Sequence, residues 1–211
     1  GFCRMRGEVS ARAAEILGVG QDLVVAVKKH ELPAHMPQVK RSLALIYAVN
    51  PFGADHQSHE HDPSYEWYPD RMAELDLMDP QPGDVLNPEK VRYAVYTQRL
   101  YSCLDSVTVC QFVFGPSWHL YGPSQLVDAV RAVTGWNVSL WELMKVGERR
   151  LNLMRAFNTR EGTGAEADTV PPKLLEPLAG GKSDGVAVTA EEVEEAKALY
   201  YRMVGWDADG H

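Results

Sequence analysis

The segment DSVTVCQF, residues 105–112, places a carboxylate, Asp105, five residues before a thiol, Cys110, inside the longest apolar stretch of the chain. A carboxylate accepts hydrogen bonds from amino and amide N–H groups, as of a ring system, and a thiolate ligates metals, so this pair could be two ligands of something the chain does not show. On an unbroken α-helix, residues five apart are rotated by about 140°, which would aim the two groups apart. Two readings stay open. In the first, Cys103 and Cys110 share one buried helical stripe and Asp105 lies at its edge beside a hydroxyl or an arginine. In the second, the helix ends near Leu104, and SVTV, three of whose four residues are β-branched, unwinds to bring both groups to one side.

Histidines form the other chemical concentration. DHQSHEHDPSY (55–65) gathers His56, His59 and His61 among Asp55, Glu60 and Asp62. These are the side chains of a zinc or other transition-metal site, but their spacing follows no standard ligand pattern, so a solvated loop is the plainer expectation. In FNTREG, Arg160 and Glu161 could clamp a substrate; an ion pair that pins the end of the preceding helix is preferred. Gly162, Thr163 and Gly164 make no phosphate loop, since no strand precedes them and no lysine follows in register.

The elements that must position these groups are helical. EVSARAAEILG (8–18) and VKRSLALIYAVN (39–50) carry apolar stripes closed by Gly18 and by Asn50-Pro51. Residues 51–88 read as a Pro-rich loop containing one helix, 70–78. A long apolar helix begins at Pro88 and runs on towards Phe114. Helices follow over 122–136, over 138–158 with Ser139 and Glu142 in capping-box spacing, and over 189–206 with Thr189 and Glu192 in the same spacing. DLVVAV (22–27) is the sole strand signal, and a helix is the alternative reading of the same run. The fold class is all-α, multihelical, with two packed helical lobes; residues 1–50 form the end of one helical domain and a junction, and 51–211 a second.

Totals exclude several functions. With 211 residues and 45% hydrophobic content the chain builds a proper core, and its net charge of −8 offers no field for phosphate backbones or anionic lipid. Arg92, Gln98, Arg99, Asp105 and Gln111 interrupt the apolar stretch, which cannot span a membrane. Neither nucleic acid nor a membrane is an expected partner. Three cysteines without a paired framework point to a reducing, cytoplasmic location. Cys103 and Cys110 would lie about 10 Å apart along a helix, too far for a disulfide. The opening GFCRMRGEVS has neither an initiator Met nor a signal-peptide pattern, so the chain is expected to be a fragment.

Several stretches together are specific. VAVKKHELPAH (25–35), YAVNPFGADH (47–56), AVTGWNVSLWELMKVGERRLNLMRAFNTREG (132–162), DTVPPKLLEPL (168–178) and YYRMVGWDADG (200–210) resemble, in order, the C-terminal half of the tungsten-containing aldehyde:ferredoxin oxidoreductase family. The resemblance implies the helical portion of an enzyme that oxidises aldehydes to carboxylic acids at a tungsten or molybdenum bis-pterin, with a 4Fe–4S cluster passing electrons to ferredoxin. It implies that the N-terminal domains, with the other cluster cysteines, are a necessary partner and that the fragment alone is inactive. In the family motif D-x-x-G-L-C, the Asp bonds a pterin and the Cys ligates the cluster. Those positions are Asp105 and Cys110, with Thr108 and Val109 where the motif has Gly and Leu. Thr does not supply φ > 0 cheaply, so the motif supports cluster ligation by Cys110 more strongly than pterin contact through the backbone at Val109. A family active-site histidine matches His56, a proton-transfer group beside the metal, and His35 stands where relatives have Tyr in the substrate pocket. Two other readings are kept: reduction of an aromatic acyl thioester, as in the benzoyl-CoA reductase branch, and a cofactor-free helical binding module.

Overall fold

The computed structural model describes residues 3, 7, 9–18 and 20–211. Among these, eight α-helices and one two-stranded sheet are joined by loops and short 3-10 turns. The helices are α1 (Val9–Leu17), α2 (Arg41–Val49), α3 (Asp62–Trp67), α4 (Pro69–Ala73), α5 (Pro88–Val107), α6 (Pro123–Thr134), α7 (Leu140–Arg160) and α8 (Ala190–Val204). Their ends follow local chemistry. Asn87 accepts from the Lys90 amide ahead of Pro88 at the start of α5, and Ser139 with Glu142 and Thr189 with Glu192 close reciprocal capping boxes on α7 and α8. Gly135 and Gly205, both left-handed, stop α6 and α8.

Two buried clusters draw on α5. One joins Tyr93, Leu100, Cys103 and Leu104 to Tyr65, Met72, Leu126 and Leu143; the other joins Val91, Ala94 and Val95 to Leu45, Ile46 and Val49 of α2 and to Ala196, Tyr200 and Tyr201 of α8. Every residue of α2 is buried. Close approach of α5 and α7 depends on Gly147, where a Cβ would stand 1.8 Å from the Arg99 carbonyl oxygen.

Three sequence expectations change. The helix expected over 70–78 is the shorter α4, which ends at Ala73, and an additional short helix, α3, precedes it; each has proline in its first turn. The long helix stops at Val107 rather than continuing towards Phe114. The 22–27 strand contracts to β1 (Ala26–Val27), which pairs antiparallel with β2 (His30–Glu31) across a two-residue turn whose residues Lys28 and Lys29 both have positive φ. That is the backbone of a tight hairpin turn, hidden in sequence because lysines occupy positions that usually show Asn-Gly.

Candidate active site

Three imidazoles converge from separate segments. The ring centroids of His35 and His56 lie 4.6 Å apart, those of His35 and His61 4.8 Å, and those of His56 and His61 5.7 Å. His35 is held through its carbonyl, which accepts from Tyr47 Oη of α2 at 3.1 Å. His56 follows a turn in which Asn50 Nδ2 donates to the Gly53 carbonyl. Gly53 has φ 105°, and a Cβ there would meet the Val27 carbonyl oxygen at 2.7 Å, so only glycine lets this loop pack on the hairpin. From α7, Asn158 Nδ2 donates to the Pro51 carbonyl at 2.8 Å and fixes the same loop.

Lys40, immediately before α2, joins two of the rings: its Nζ lies 3.2 Å from His35 Nδ1 and 3.0 Å from His61 Nδ1. An ammonium only donates, so both Nδ1 atoms accept and both protons sit on Nε2. His61 Nε2 accordingly donates to the His56 carbonyl at 3.1 Å. Burial, with Lys40 nearby, lowers the His35 pKa and pulls that of His61 down to about 4; burial also lowers His56. Near neutral pH these rings are neutral, and the cation among them is Lys40.

Beneath the rings the loop is buried, not solvated as the sequence reading preferred. His59, Glu60 and Asp62 are buried, and each carboxylate is satisfied. Asp62 pairs with the fully buried Lys90 at 2.7 Å and accepts from the Ser42 amide at the start of α2, where a negative charge suits the helix N-terminus. Glu60 accepts from Ser117 Oγ at 2.6 Å, Tyr101 Oη at 3.0 Å and the His61 amide at 2.8 Å. Burial pushes both carboxyls up and holds His59 well below 6.5. Ser42 Oγ donates to Asp62, so His59 Nε2, 3.0 Å away, donates to Ser42. Among the described residues no group of three or more His, Cys, Asp or Glu is arranged to hold a metal ion. Lys40, Lys90 and the hydroxyls have the partners a metal would have used.

The Asp105–Cys110 segment answers neither sequence reading as posed. Helix α5 continues three residues past Leu104, and Thr108 then turns it with φ 60° and ψ 43°. Val109 N donates to the Leu104 carbonyl and Thr108 N to the Asp105 carbonyl, the paired bonds of a Schellman stop. Thr108 thus takes the left-handed backbone that a glycine would take there. Asp105 is exposed in the last turn, paired with Arg150 of α7 at 3.1 Å and accepting from Gln111 Nε2 at 2.7 Å. Cys110 is an exposed free thiol beyond the turn, its carbonyl accepting from the Val113 and Phe114 amides. Cys103 is different: it is sealed in the core, and burial pushes its thiol up to about 11. Exposed Phe112 and Trp118 lie beside one another, centroids 5.9 Å apart, on the loop after Cys110. An accessible thiol and a carboxylate presented at one helix end fit a single ligand and a single hydrogen-bond acceptor for a group completed by other residues. They do not fit a self-sufficient cluster site.

A fourth arrangement was invisible in sequence. Buried Asp168 receives Arg155 Nη1 on both oxygens at 3.0 and 2.8 Å, Lys28 Nζ at 2.7 Å and the Tyr201 hydroxyl. Arg155 Nε donates to the Gly210 carbonyl at 2.6 Å, and its guanidinium lies 4.7 Å from the Trp206 ring centroid. This one knot ties together VAVKK, MRAFN, DTVPP and GWDADG. The ion pair expected of Arg160 and Glu161 in FNTREG is not found among the described residues: both are exposed at the end of α7, and the buried pair is Arg155–Asp168.

A mostly helical scaffold thus presents an exposed thiol at the end of α5 and a separate group of three histidines. The comparisons give the family: residues 1–211 match the family model "Aldehyde ferredoxin oxidoreductase, domains 2 & 3", and the chain belongs to that family. The tungsten-containing aldehyde ferredoxin oxidoreductase of Pyrococcus abyssi is 32% identical over 214 residues, covering 100% of this chain and 32% of the relative. That of Thermococcus kodakarensis is 32% identical over 207 residues, covering 96% and 31%. The chain thus spans about a third of the length of these relatives. Among solved structures, the active site complex BamBC of benzoyl coenzyme A reductase with 1,5-dienoyl-CoA matches with a TM-score of 0.59 at 18% identity, over 94% of this chain and 33% of that one, a likeness of fold.

Proposed function

We propose that this chain is the helical part of a tungsten or molybdenum pterin, iron–sulfur enzyme that oxidises aldehydes to carboxylic acids and passes the electrons to ferredoxin. The observation that carries this reading is the convergence of His35 and His56. These two residues, to which the family resemblance points separately, stand 4.6 Å apart on loops fixed from α2 and α7. Converting an aldehyde and water to a carboxylate releases three protons and two electrons. The bound metal and cluster would accept the electrons. His56, neutral and with no hydrogen-bond partner on its ring among the described residues, takes a proton from the reacting oxygen, as an imidazole with a pKa below neutrality does when it is re-formed quickly by solvent. His35, its Nδ1 occupied by Lys40, presents Nε2–H as a neutral donor to a carbonyl oxygen. Cys110 would ligate the cluster, and Asp105, with the backbone at Val109, would accept from the pterin.

The test uses the full-length protein. His56→Asn should lower aldehyde oxidation by about 10²-fold or more with metal content unchanged. An unchanged rate would remove His56 from the mechanism. Turnover of an aromatic acyl thioester without aldehyde turnover would assign the other branch that His35, in place of tyrosine, keeps open.

A further inference from the structure

The ammonium of Lys40 is half-buried and has no carboxylate in ion-pair contact among the described residues. Its hydrogen-bond partners among the described residues are the two neutral imidazoles, His35 and His61. An ammonium has three donors, so one N–H remains for another acceptor. The nearest acids are committed elsewhere, Asp62 to Lys90 and Ser42, and Glu60 to Tyr101, Ser117 and the His61 amide. Burial lowers the Lys40 pKa although Asp62 and Glu60 act on it through space, and an acceptor for its third N–H would offset that desolvation. His35 Nε2–H leaves the opposite edge of its ring from Lys40 and serves a separate acceptor, and the His56 ring lies 4.6 Å from that of His35.

We propose that the third N–H of Lys40 anchors the carboxylate of a small organic acid, the product end of the reaction. Lys40 is then a product-binding residue as well as the support that fixes the tautomers of His35 and His61. The inference rests on the aldehyde-oxidation reading for the identity of the acid, but not for the anion site itself.

Calorimetric titration of the full-length, anaerobically purified protein with benzoate and with its neutral isostere benzamide tests this. Lys40→Met should weaken benzoate binding by about tenfold or more, the loss of one charge-assisted hydrogen bond, while benzamide affinity moves little and Lys40→Arg retains most of the benzoate affinity. In the unmutated protein, benzoate but not benzamide should protect the Lys40 amine from acetic anhydride, read by peptide mass spectrometry. Equal benzoate affinity in Lys40→Met, no benzoate binding to the unmutated protein, or Lys40 labelling indifferent to benzoate would each overturn the anchor. Lys40-dependent benzoate binding in a protein that oxidises no aldehyde would leave the anchor standing and refute the proposed function. Aldehyde turnover with Lys40-independent benzoate binding would do the reverse.

Discussion

Thr108 shows how one residue can hold a conformation its type disfavours. Its φ of 60° belongs to the left-handed region, which costs a β-branched residue about 1–2 kcal/mol. Thr108→Gly should therefore stabilise the protein by about 1 kcal/mol, visible as a rise of about 2–4 °C in the thermal midpoint, with a lower midpoint as the contrary result. Histidines give the second prediction at this scale. Burial pulls His61 and His119 down to about 4 from an unfolded value of 6.5. Between about pH 6.5 and 4 the unfolded chain binds more protons than the folded one, so the stability these rings contribute above pH 6.5 falls through that window. Burial of Glu60 and Asp62 acts with the opposite sign, since their raised carboxyls favour the folded state on acidification. The histidine part is isolated by replacing His61: the loss of urea midpoint from pH 7 to 4.5 should be smaller in His61→Asn than in the parent, and an equal loss would contradict it.

At the scale of elements, two contacts set the architecture. Gly147 lets α5 and α7 touch, and Gly147→Ala should destabilise by about 1–3 kcal/mol, because the backbone oxygen of Arg99 cannot rotate away as a side chain would. A urea midpoint equal to the parent's would show that the helices part without cost. Asp168→Asn leaves Lys28 and Arg155 buried with no carboxylate between them and should cost about 3–5 kcal/mol. The same substitution by denaturant melt checks whether the knot acts as one unit. Long helices were legible in sequence for a physical reason: capping boxes at Ser139 and Thr189 and stops at Gly135 and Gly205 are local signals, written within four residues of where they act. The Arg155–Asp168–Lys28 knot was not, since its members come from three distant segments and nothing in the spacing of any one announces the others. Burial of the 55–65 loop was missed likewise. Its charged residues read as solvated until Lys90, Ser42, Tyr101 and Ser117, all far along the chain, are seen to satisfy them.

For the whole molecule, the histidine group is supported within these residues, and the end of α5 that would face the proposed cofactor is exposed. His35, His56, His61 and Lys40 support each other through α2, the 50–62 loop and Asn158, while Cys110 and Asp105 stand exposed at the end of α5. The resemblance pointed to Asp105, Cys110, His35 and His56; His61 stood in the histidine-rich segment of the sequence, and Lys40 emerges from geometry alone. The proposed function requires that the thiol at the end of α5 complete an iron–sulfur cluster in the full-length protein. The direct measurement is iron per chain in full-length protein expressed and purified without oxygen, for the parent and for Cys110→Ser. Loss of one of four thiolate ligands should lower iron content or convert the cluster, with a changed electron paramagnetic resonance signal. Iron content and signal identical to the parent would contradict the account.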